Sequence, residues 1–178
     1  MVESQLRTSG VTEAWILAAM GALPRENFVP DALREVAYMD RSIRLADGTM
    51  LNPPVATALM LQAADVKQDD NVLFIGSVDS YAAALLATRA KVTAAGGPKG
   101  VMAGPFSLLF IDGAVEELPD NLVAAVQDGG RIVTGLIERG VTSLASGIVR
   151  GGKVALRHFA DSEIAPLAAF ARKPEFMF

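Results

Sequence analysis

The stretch Asn71-Val72-Leu73-Phe74-Ile75-Gly76-Ser77-Val78-Asp79-Ser80-Tyr81 decides the fold. Its apolar run at residues 72–75 is short and continuous, as in a strand buried on both faces of a parallel sheet. Gly76 follows at once, and a helix is predicted from Tyr81 to Ala90. Ligands of open parallel sheets bind beyond the carboxyl ends of the strands, so residues 76–80 are predicted to form a ligand-binding loop.

The residues that follow continue this alternation of strands and helices. Strands are predicted at residues 92–95, 107–112 and 131–136, with a helix at residues 119–127 that Gly129-Gly130 closes. Residues 143–150 and 153–159 flank a Gly151-Gly152 turn and predict an antiparallel hairpin. The sequence therefore predicts an α/β fold with an open, mostly parallel, Rossmann-like sheet and a C-terminal hairpin.

The residues before Asn71 are predicted to be mainly helical. Thr12 is expected to cap a helix that ends at Leu23, and a short helix should follow at residues 31–38. Asn52-Pro53 has the residue types of a helix N-terminus, and that helix should end near Asp65. We interpret residues 1–66 as an N-terminal helical cap on an α/β core of residues 67–178, the two forming one domain.

The composition excludes several classes of function. The 178 residues include no cysteine and one histidine, His158, so no disulfide, thiolate zinc site or histidine-rich metal centre can form. The net charge is −4 and no basic run occurs, so no nucleic-acid partner is expected. No apolar run is long enough to span a membrane and no signal peptide is recognised, so we expect a cytoplasmic protein without a membrane partner.

The predicted ligand loop lacks most features of a nucleotide site. Close approach of a ligand to the backbone favours residues without a Cβ, but Val78 and Ser80 carry side chains. The strand at residues 92–95 ends in Gly96-Gly97, without the carboxylate that would bind ribose hydroxyls. The residues alone therefore favour a vestigial turn over a working nucleoside site.

Two N-terminal stretches resemble the signature of the protein-L-isoaspartate O-methyltransferases: Leu23-Pro24-Arg25-Glu26-Asn27-Phe28-Val29-Pro30 and Ala37-Tyr38-Met39-Asp40. Other matching stretches lie at residues 5–6, 18–20, 111–119, 129–131, 159–161 and 164–167. The resemblance spans nearly the whole chain and is closest to a divergent bacterial branch of the family. It implies the class I methyltransferase fold, S-adenosylmethionine as cofactor and isoaspartyl residues of proteins as substrate.

The departures from the family pattern fall on its functional positions. Met50 stands where the family has a substrate-site Thr, and Asn52 stands where it has a catalytic Ser. In the cofactor loop Phe74 replaces a Glu, and Val78 and Ser80 replace glycines. Gly96 stands at about the position where the family has the carboxylate that binds the ribose.

The cofactor-binding candidates that remain, all interpreted as vestigial, are Gly76, Ser77, Asp79, Tyr81 and Asp112. Each candidate also has a plain structural interpretation. Asn52 fits a helix N-cap whose side-chain oxygen accepts from Val55 or Ala56. Asp79 could cap the next helix, and Asp112 could form a turn with Gly113.

The chain is also too short for a complete methyltransferase sheet. Residues 76–105, thirty in all, separate the strand that ends at Ile75 from the strand that starts at Phe106. In a complete methyltransferase sheet, three crossovers and two further strands lie between the corresponding two strands. That arrangement needs roughly 40–46 residues. Six of the ten residues 96–105 are Gly or Pro, so the second crossover helix and the third strand are predicted to be missing.

Three functional hypotheses follow. The first is a non-catalytic binding or scaffold protein of this family, with lost or strongly reduced S-adenosylmethionine binding and methyl transfer, and therefore no expected cofactor. The second is an active S-adenosylmethionine-dependent protein isoaspartyl carboxyl methyltransferase with a rebuilt pocket. The third is a small-molecule site of different chemistry in the same cleft. Because missing sheet elements would bare an edge strand, we expect a homodimer; the sequence identifies no protein partner.

Overall fold

The computed structural model describes residues 1–99, 101 and 104–172. A seven-stranded sheet runs in the order β4-β3-β5-β6-β7-β8, and β9 also pairs with β7. Its strands are β3 (Asn71–Ile75), β4 (Lys91–Ala95), β5 (Phe106–Val115), β6 (Val126–Glu138), β7 (Val141–Arg150), β8 (Lys153–Val154) and β9 (Arg157–Asp161). A separate two-stranded sheet pairs β1 (Ile43–Arg44) with β2 (Met50–Leu51).

The parallel half of the sheet confirms the predicted α/β architecture. β3 pairs in parallel with β4 on one side and β5 on the other, and β5 pairs in parallel with β6. Each side chain at residues 72–75 is at most 1% exposed, as expected for a strand covered on both faces. Phe74 and Phe110 are paired in register, and their rings stack with centroids 6.0 Å apart.

The two faces of the sheet are covered by different parts of the chain. Phe74 and alternate residues of the neighbouring strands pack against the N-terminal helices, whereas Ile75 and its neighbours pack on Leu122 and Phe170. Burial of a large apolar side chain contributes about 1.5–3 kcal/mol, so the side chains on both faces of β3 stabilise the core.

The helices are α1 (Ala14–Ala22), α2 (Pro54–Ala64), α3 (Tyr81–Ala87) and α4 (Asp120–Ala124). Val2–Leu6 forms one π-helical turn, and Arg25–Phe28, Asp31–Val36 and Ala168–Phe170 form 3-10 turns. Thr12 does not cap α1, because Glu13 is the flanking residue and the Thr12 N–H donates to Gln62 at 2.8 Å. Within the described residues, none of the helices is long and apolar enough to cross a membrane.

The C-terminal strands pair antiparallel, as predicted, but β6 and β7 are longer than expected. β6 and β7 pair over eight residues of each strand, from Arg131↔Ile148 to Glu138↔Val141. Gly129-Gly130, expected to close a helix, lies inside β6, and α4 is only five residues long. The expected second hairpin strand is divided, since residues 155–156 separate β8 from β9.

The shortened connection between β4 and β5 matches the sequence arithmetic. Its described residues, 96–99, 101 and 104–105, form neither helix nor strand. β4 is consequently the edge of the sheet, with β3 its only neighbour within the described part of the chain.

A polar cluster joins the helices to the sheet at its other end. The Asp70 carboxylate accepts from the Lys67 N–H at 2.7 Å, from the Ser107 hydroxyl at 2.6 Å and from Arg131. Arg131 also donates from Nε to the Ala64 carbonyl, 2.8 Å away, at the end of α2. One buried carboxylate thus links the residues around α2 to β5 and β6.

Candidate functional site

A cleft of about 540 Å³ lies beyond the carboxyl ends of β3 and β4. Residues of β2 and the preceding loop form one wall, and residues 165–168 form the other. All five cofactor-binding candidates, namely Gly76, Ser77, Asp79, Tyr81 and Asp112, line this cleft. The sequence therefore predicted the location of the cleft, as expected from the topology of open parallel sheets.

The loop at residues 76–80 is shaped by packing inside the protein. Gly76 has φ +154°, and a Cβ there would lie 2.9 Å from the Phe74 ring and 3.2 Å from Asp112 Cβ. A glycine is thus required at residue 76 even without a ligand. Ser80 caps α3, its hydroxyl accepting from the Ala83 N–H at 3.2 Å, so the suggested cap at Asp79 is wrong.

Tyr81 contributes a fully buried side chain to the lining of the cleft. It is 0% exposed, and its ring meets that of Phe28 edge-on with centroids 5.2 Å apart. Its hydroxyl has no hydrogen-bond partner among the described residues. Burial raises the pKa of Tyr81, so the phenol stays neutral.

Asn52 lies behind the cleft and is fixed by three hydrogen bonds. Its Nδ2 donates to Asp112 Oδ1 at 2.8 Å and to the Asp112 carbonyl at 3.2 Å, while its Oδ1 accepts from the Ala165 N–H at 2.8 Å. It is 2% exposed. The expected N-cap is wrong, because Pro53 flanks α2 and the Val55 N–H donates to Asp40 instead.

Asp112 places a carboxylate at the floor of the cleft. It lies inside β5, so the expected turn with Gly113 does not form. Burial raises the pKa of Asp112, while the bond from Asn52, the charge of Arg25 and a bond from Ser80 oppose that rise.

Arg25 is a member of this network that the sequence analysis did not single out. It is fully buried; its Nε donates to the Ala37 carbonyl at 2.7 Å and its Nη2 to the Asn52 carbonyl. Its guanidinium lies 5.1 Å from the Tyr81 ring centroid. Burial lowers the pKa of Arg25 to about 10, so it stays charged at neutral pH. The only signal in the sequence was its place in the LPRENFVP stretch.

The segment after β9 was also missed as part of the site. The Ala114 N–H donates to the Ala165 carbonyl at 2.8 Å, and the Leu167 N–H donates to the Ala114 carbonyl at 2.9 Å. These bonds attach residues 165–167 to β5 and place them against Asn52 and the cleft.

The cleft is acidic. Asp47, Asp79 and Asp112 line it, and none of the described lining residues is Lys, Arg or His. In the described part of the chain, no three His, Cys, Asp or Glu side chains are grouped as a metal site.

Comparison with known proteins gives one consistent result. The family model for protein-L-isoaspartate(D-aspartate) O-methyltransferase matches residues 1–94. A protein-L-isoaspartate O-methyltransferase of Methanoculleus marisnigri is 30% identical, over 86% of this chain and 83% of that protein. One of Methylorubrum extorquens is 33% identical, over 75% of this chain and 71% of that protein.

Two solved structures share the fold. A protein-L-isoaspartate O-methyltransferase superposes with a TM-score of 0.77 at 15% identity, covering 93% of this chain and 64% of the other. A Plasmodium falciparum protein assigned to the same activity, in complex with S-adenosyl-L-homocysteine, gives a TM-score of 0.75 at 14% identity. It covers 92% of this chain and 95% of that one.

These matches correct the expectation that no cofactor is involved. The matching family is one of methyltransferases, and a neighbour of the same fold holds S-adenosyl-L-homocysteine. The cleft is consistent with the correction, because 540 Å³ falls within the usual range for small-molecule sites. The cleft differs from the family pattern at Gly96, which lines it but has no carboxylate to bind the ribose.

Proposed function

Since the chain belongs to the protein-L-isoaspartate O-methyltransferase family, we propose that it binds S-adenosylmethionine in this cleft and acts as a methyltransferase dependent on it. The observation that carries the proposal is the cleft together with Tyr81 of its lining, whose buried hydroxyl has no hydrogen-bond partner among the described residues. Leaving such a group without a partner costs about 1–3 kcal/mol, which a ligand polar atom would recover.

The chain's own residues have separate roles in this proposal. The loop at residues 76–80 and Tyr81 would hold the cofactor, which when bound supplies the methyl group. Arg25 and Asn52 keep Asp112 in place at the floor. The segment at residues 165–168 shields one side of the cleft from water.

Titration calorimetry with S-adenosylmethionine and S-adenosylhomocysteine tests the proposal. We expect one site per chain with a dissociation constant below about 1 mM. Tyr81→Phe should weaken binding about tenfold without lowering the melting temperature, because the lost hydroxyl has no partner among the described residues.

Tyr38→Phe is the matched control, since these are the two tyrosines of the chain. The Tyr38 hydroxyl bonds to Glu26 and the Arg25 N–H. Its removal should lower the melting temperature and leave binding unchanged. Absence of binding in the wild type would reject the proposed function.

A second candidate is a protein that binds the cofactor but transfers no methyl group. The observation that favours it is Asn52, at the family's Ser position, whose side-chain donor and acceptor both bond within the protein. A methyl-transfer assay on an isoaspartyl peptide separates the two. Transfer by the wild type supports the enzyme; cofactor binding without transfer, unchanged in Asn52→Ser, supports the second candidate.

A further inference from the structure

Three Asp-Gly pairs occur in the chain, and they start at Asp47, Asp112 and Asp128. Such pairs isomerise readily to isoaspartate, because glycine has no side chain to obstruct attack by its amide nitrogen on the preceding carboxyl. The reaction needs a carboxyl turned toward that amide, a main chain free to bend, and access for water. The structure separates the three pairs by these requirements.

The pairs at Asp112 and Asp128 do not meet these requirements. Asp112 lies inside β5 and its carboxylate accepts from Asn52, while a Cβ at Gly113 would lie 2.5 Å from a neighbouring side chain. The main chain there has no room to bend. Asp128 is exposed, but its Oδ1 accepts from the Gly151 N–H at 2.7 Å. Its carboxylate is therefore held by the turn between β7 and β8, and not by its own following residues.

The pair at Asp47 meets all three requirements. Asp47 is exposed in the loop between β1 and β2. Its Oδ1 accepts from the Thr49 N–H at 2.9 Å and from the Thr49 hydroxyl at 2.6 Å, so the side chain folds forward over the Gly48 amide. Gly48 has φ +84°, and a Cβ there would meet no described heavy atom within 4 Å. This turn brings the carboxyl carbon toward the nitrogen that attacks it and leaves space for a ring.

We propose that Asp47-Gly48 is a site of spontaneous isomerisation, and that its isoaspartyl product reshapes the wall of the cleft and weakens ligand binding. The Gly48 nitrogen bonds to Cγ of Asp47 and loses its proton, and a carboxyl oxygen leaves as water, which closes a five-membered succinimide. Water then adds to the Asp47 main-chain carbonyl, and the bond from that carbon to the Gly48 nitrogen breaks. The chain now runs through Cγ, the former main-chain carbonyl is a free carboxylate, and no other reactant is consumed.

Isomerisation makes the main chain one atom longer at the wall of the cleft, which Leu45 and residues 47–51 form. The loop is closed by two bonds: the Leu45 N–H donates to the Thr49 carbonyl at 2.8 Å, and the Gly48 N–H donates to the Leu45 carbonyl at 3.1 Å. An extra atom inside this short loop changes its span, so the two bonds are not both kept and the wall shifts. The effect on binding rests on the proposed function, because S-adenosylmethionine is its probe.

Ageing of the wild-type protein for several weeks at physiological temperature and mildly acidic pH tests the site. Tryptic digestion releases residues 45–67 as one peptide, in which electron-transfer fragmentation distinguishes isoaspartate from aspartate. We expect isoaspartate at residue 47 to exceed that at residue 128 several-fold. The isomerised fraction, separated by ion exchange, should bind S-adenosylmethionine about fivefold more weakly, as for the loss of one hydrogen bond.

Three variants locate the effect. Asp47→Glu would have to close a six-membered ring, so neither isomerisation nor an age-dependent loss of binding should appear. Asp128→Glu, the same change at the other exposed pair, is the matched control and should age like the wild type. Thr49→Val removes the hydroxyl bond to Asp47 and keeps the backbone bond. Because the Thr49 bonds hold the pKa of Asp47 below its ordinary value and the neutral carboxyl is the form attacked, Thr49→Val should isomerise about threefold faster.

The outcomes are distinguishable. Isoaspartate no more abundant at residue 47 than at residue 128, or a rate in Thr49→Val no higher than in the wild type, overturns the site. Isomerised protein that binds S-adenosylmethionine as tightly as fresh protein overturns its effect on the cleft. Failure of the fresh wild type to bind rejects the proposed function alone, since the map of isoaspartate still decides the site. Amide hydrogen exchange at residues 45–51 then decides the change in the wall: it should rise on ageing in the wild type and stay constant in Asp47→Glu.

Discussion

Nδ2 of Asn52 lies 2.8 Å from Oδ1 of Asp112, across a sequence separation of 60 residues. Asn52 follows β2, whereas Asp112 lies near the carboxyl end of β5. The same amide group accepts from Ala165, so one buried side chain joins three distant parts of the chain at the back of the cleft. Buried polar groups of this kind are costly to disrupt because each lost partner leaves another group unsatisfied.

Asn52→Ala should destabilise the protein by about 2–4 kcal/mol, more than the loss of a simple helix cap would. The change leaves Asp112 and the Ala165 N–H without their partner. For a chain of this size we expect a fall in melting temperature of about 5–12 °C. Differential scanning calorimetry checks this, with Asn27→Ala as a surface control. A shift below about 2 °C would show that the network contributes little.

The stability of Asp112→Asn relative to the wild type should depend on pH. Burial raises the folded-state pKa of Asp112 above its ordinary value of 3.8. Its contribution to stability is therefore fully present below that ordinary value and is lost as pH rises through the folded pKa. Because the substituted amide does not ionise, the melting temperature of the variant minus that of the wild type should increase from about pH 4 to pH 8. A difference that stays constant or decreases over this range would contradict the expectation.

Gly96→Asp should tighten binding of S-adenosylmethionine and of S-adenosylhomocysteine by a similar factor, about threefold to tenfold. The change restores a carboxylate near the ribose position, where a Cβ meets no described heavy atom within 4 Å. Since the ribose is common to the two molecules, the ratio of their dissociation constants should change little. Gln127→Glu adds the same charge at an exposed position outside the lining of the cleft. It should leave both dissociation constants unaltered; equal tightening by this control would assign the effect to net charge.

The Asp70–Arg131 pair should couple strongly in a double-mutant cycle. Removal of one partner leaves a buried charge or its hydrogen bonds unsatisfied, which costs about 3–5 kcal/mol. We expect Asp70→Asn and Arg131→Gln to be non-additive by about 1–3 kcal/mol in urea unfolding. The exposed pair of Arg7 and Glu3 is the control, with a coupling below about 0.5 kcal/mol. Additive effects at Asp70 and Arg131 would mean that the pair is not a coupled unit.

We also propose that the chain forms a homodimer through the edge of β4. That strand has one described neighbour, and its residues after Lys91 are only partly buried. Edge strands are normally paired or covered, and a second copy of this strand would do so. Light scattering should give about twice 18.7 kDa, and Thr93→Lys should shift the mass toward one chain. A mass of one chain throughout a dilution series would reject the dimer.

Local patterns predicted the sheet well because its core strands are continuous apolar runs. Residues 72–75 and 107–112 could be placed from hydrophobicity alone, and the missing crossover followed from counting residues. The limits of β6 were harder to predict, since Gly129-Gly130 normally ends a helix and here continues a strand. Gly130 fits because a Cβ there would lie 2.5 Å from the Val126 side chain, a contact that depends on tertiary packing.

The sequence predicted where the cleft lies, but it did not predict the hydrogen-bond partners of the residues around it. Asn52, Asp79 and Asp112 were each assigned a local role, as a cap or a turn, because nearby sequence supplies only local partners. The partners found in the structure come from other parts of the fold, such as Ala165 for Asn52. Arg25 was not predicted as a site residue, because nothing in its neighbourhood indicates that a charged side chain is buried beneath Tyr81.

The attachment of residues 165–167 to β5 has a consequence for biosynthesis. The ribosome makes the loop at residues 76–80 almost ninety residues before this segment, yet both border the same cleft. The nascent chain can pair β3 with β5, and β5 with β6, while Asn52 still lacks its partner at Ala165. Ligand-binding capacity should therefore be acquired late in translation, after the sheet itself has formed.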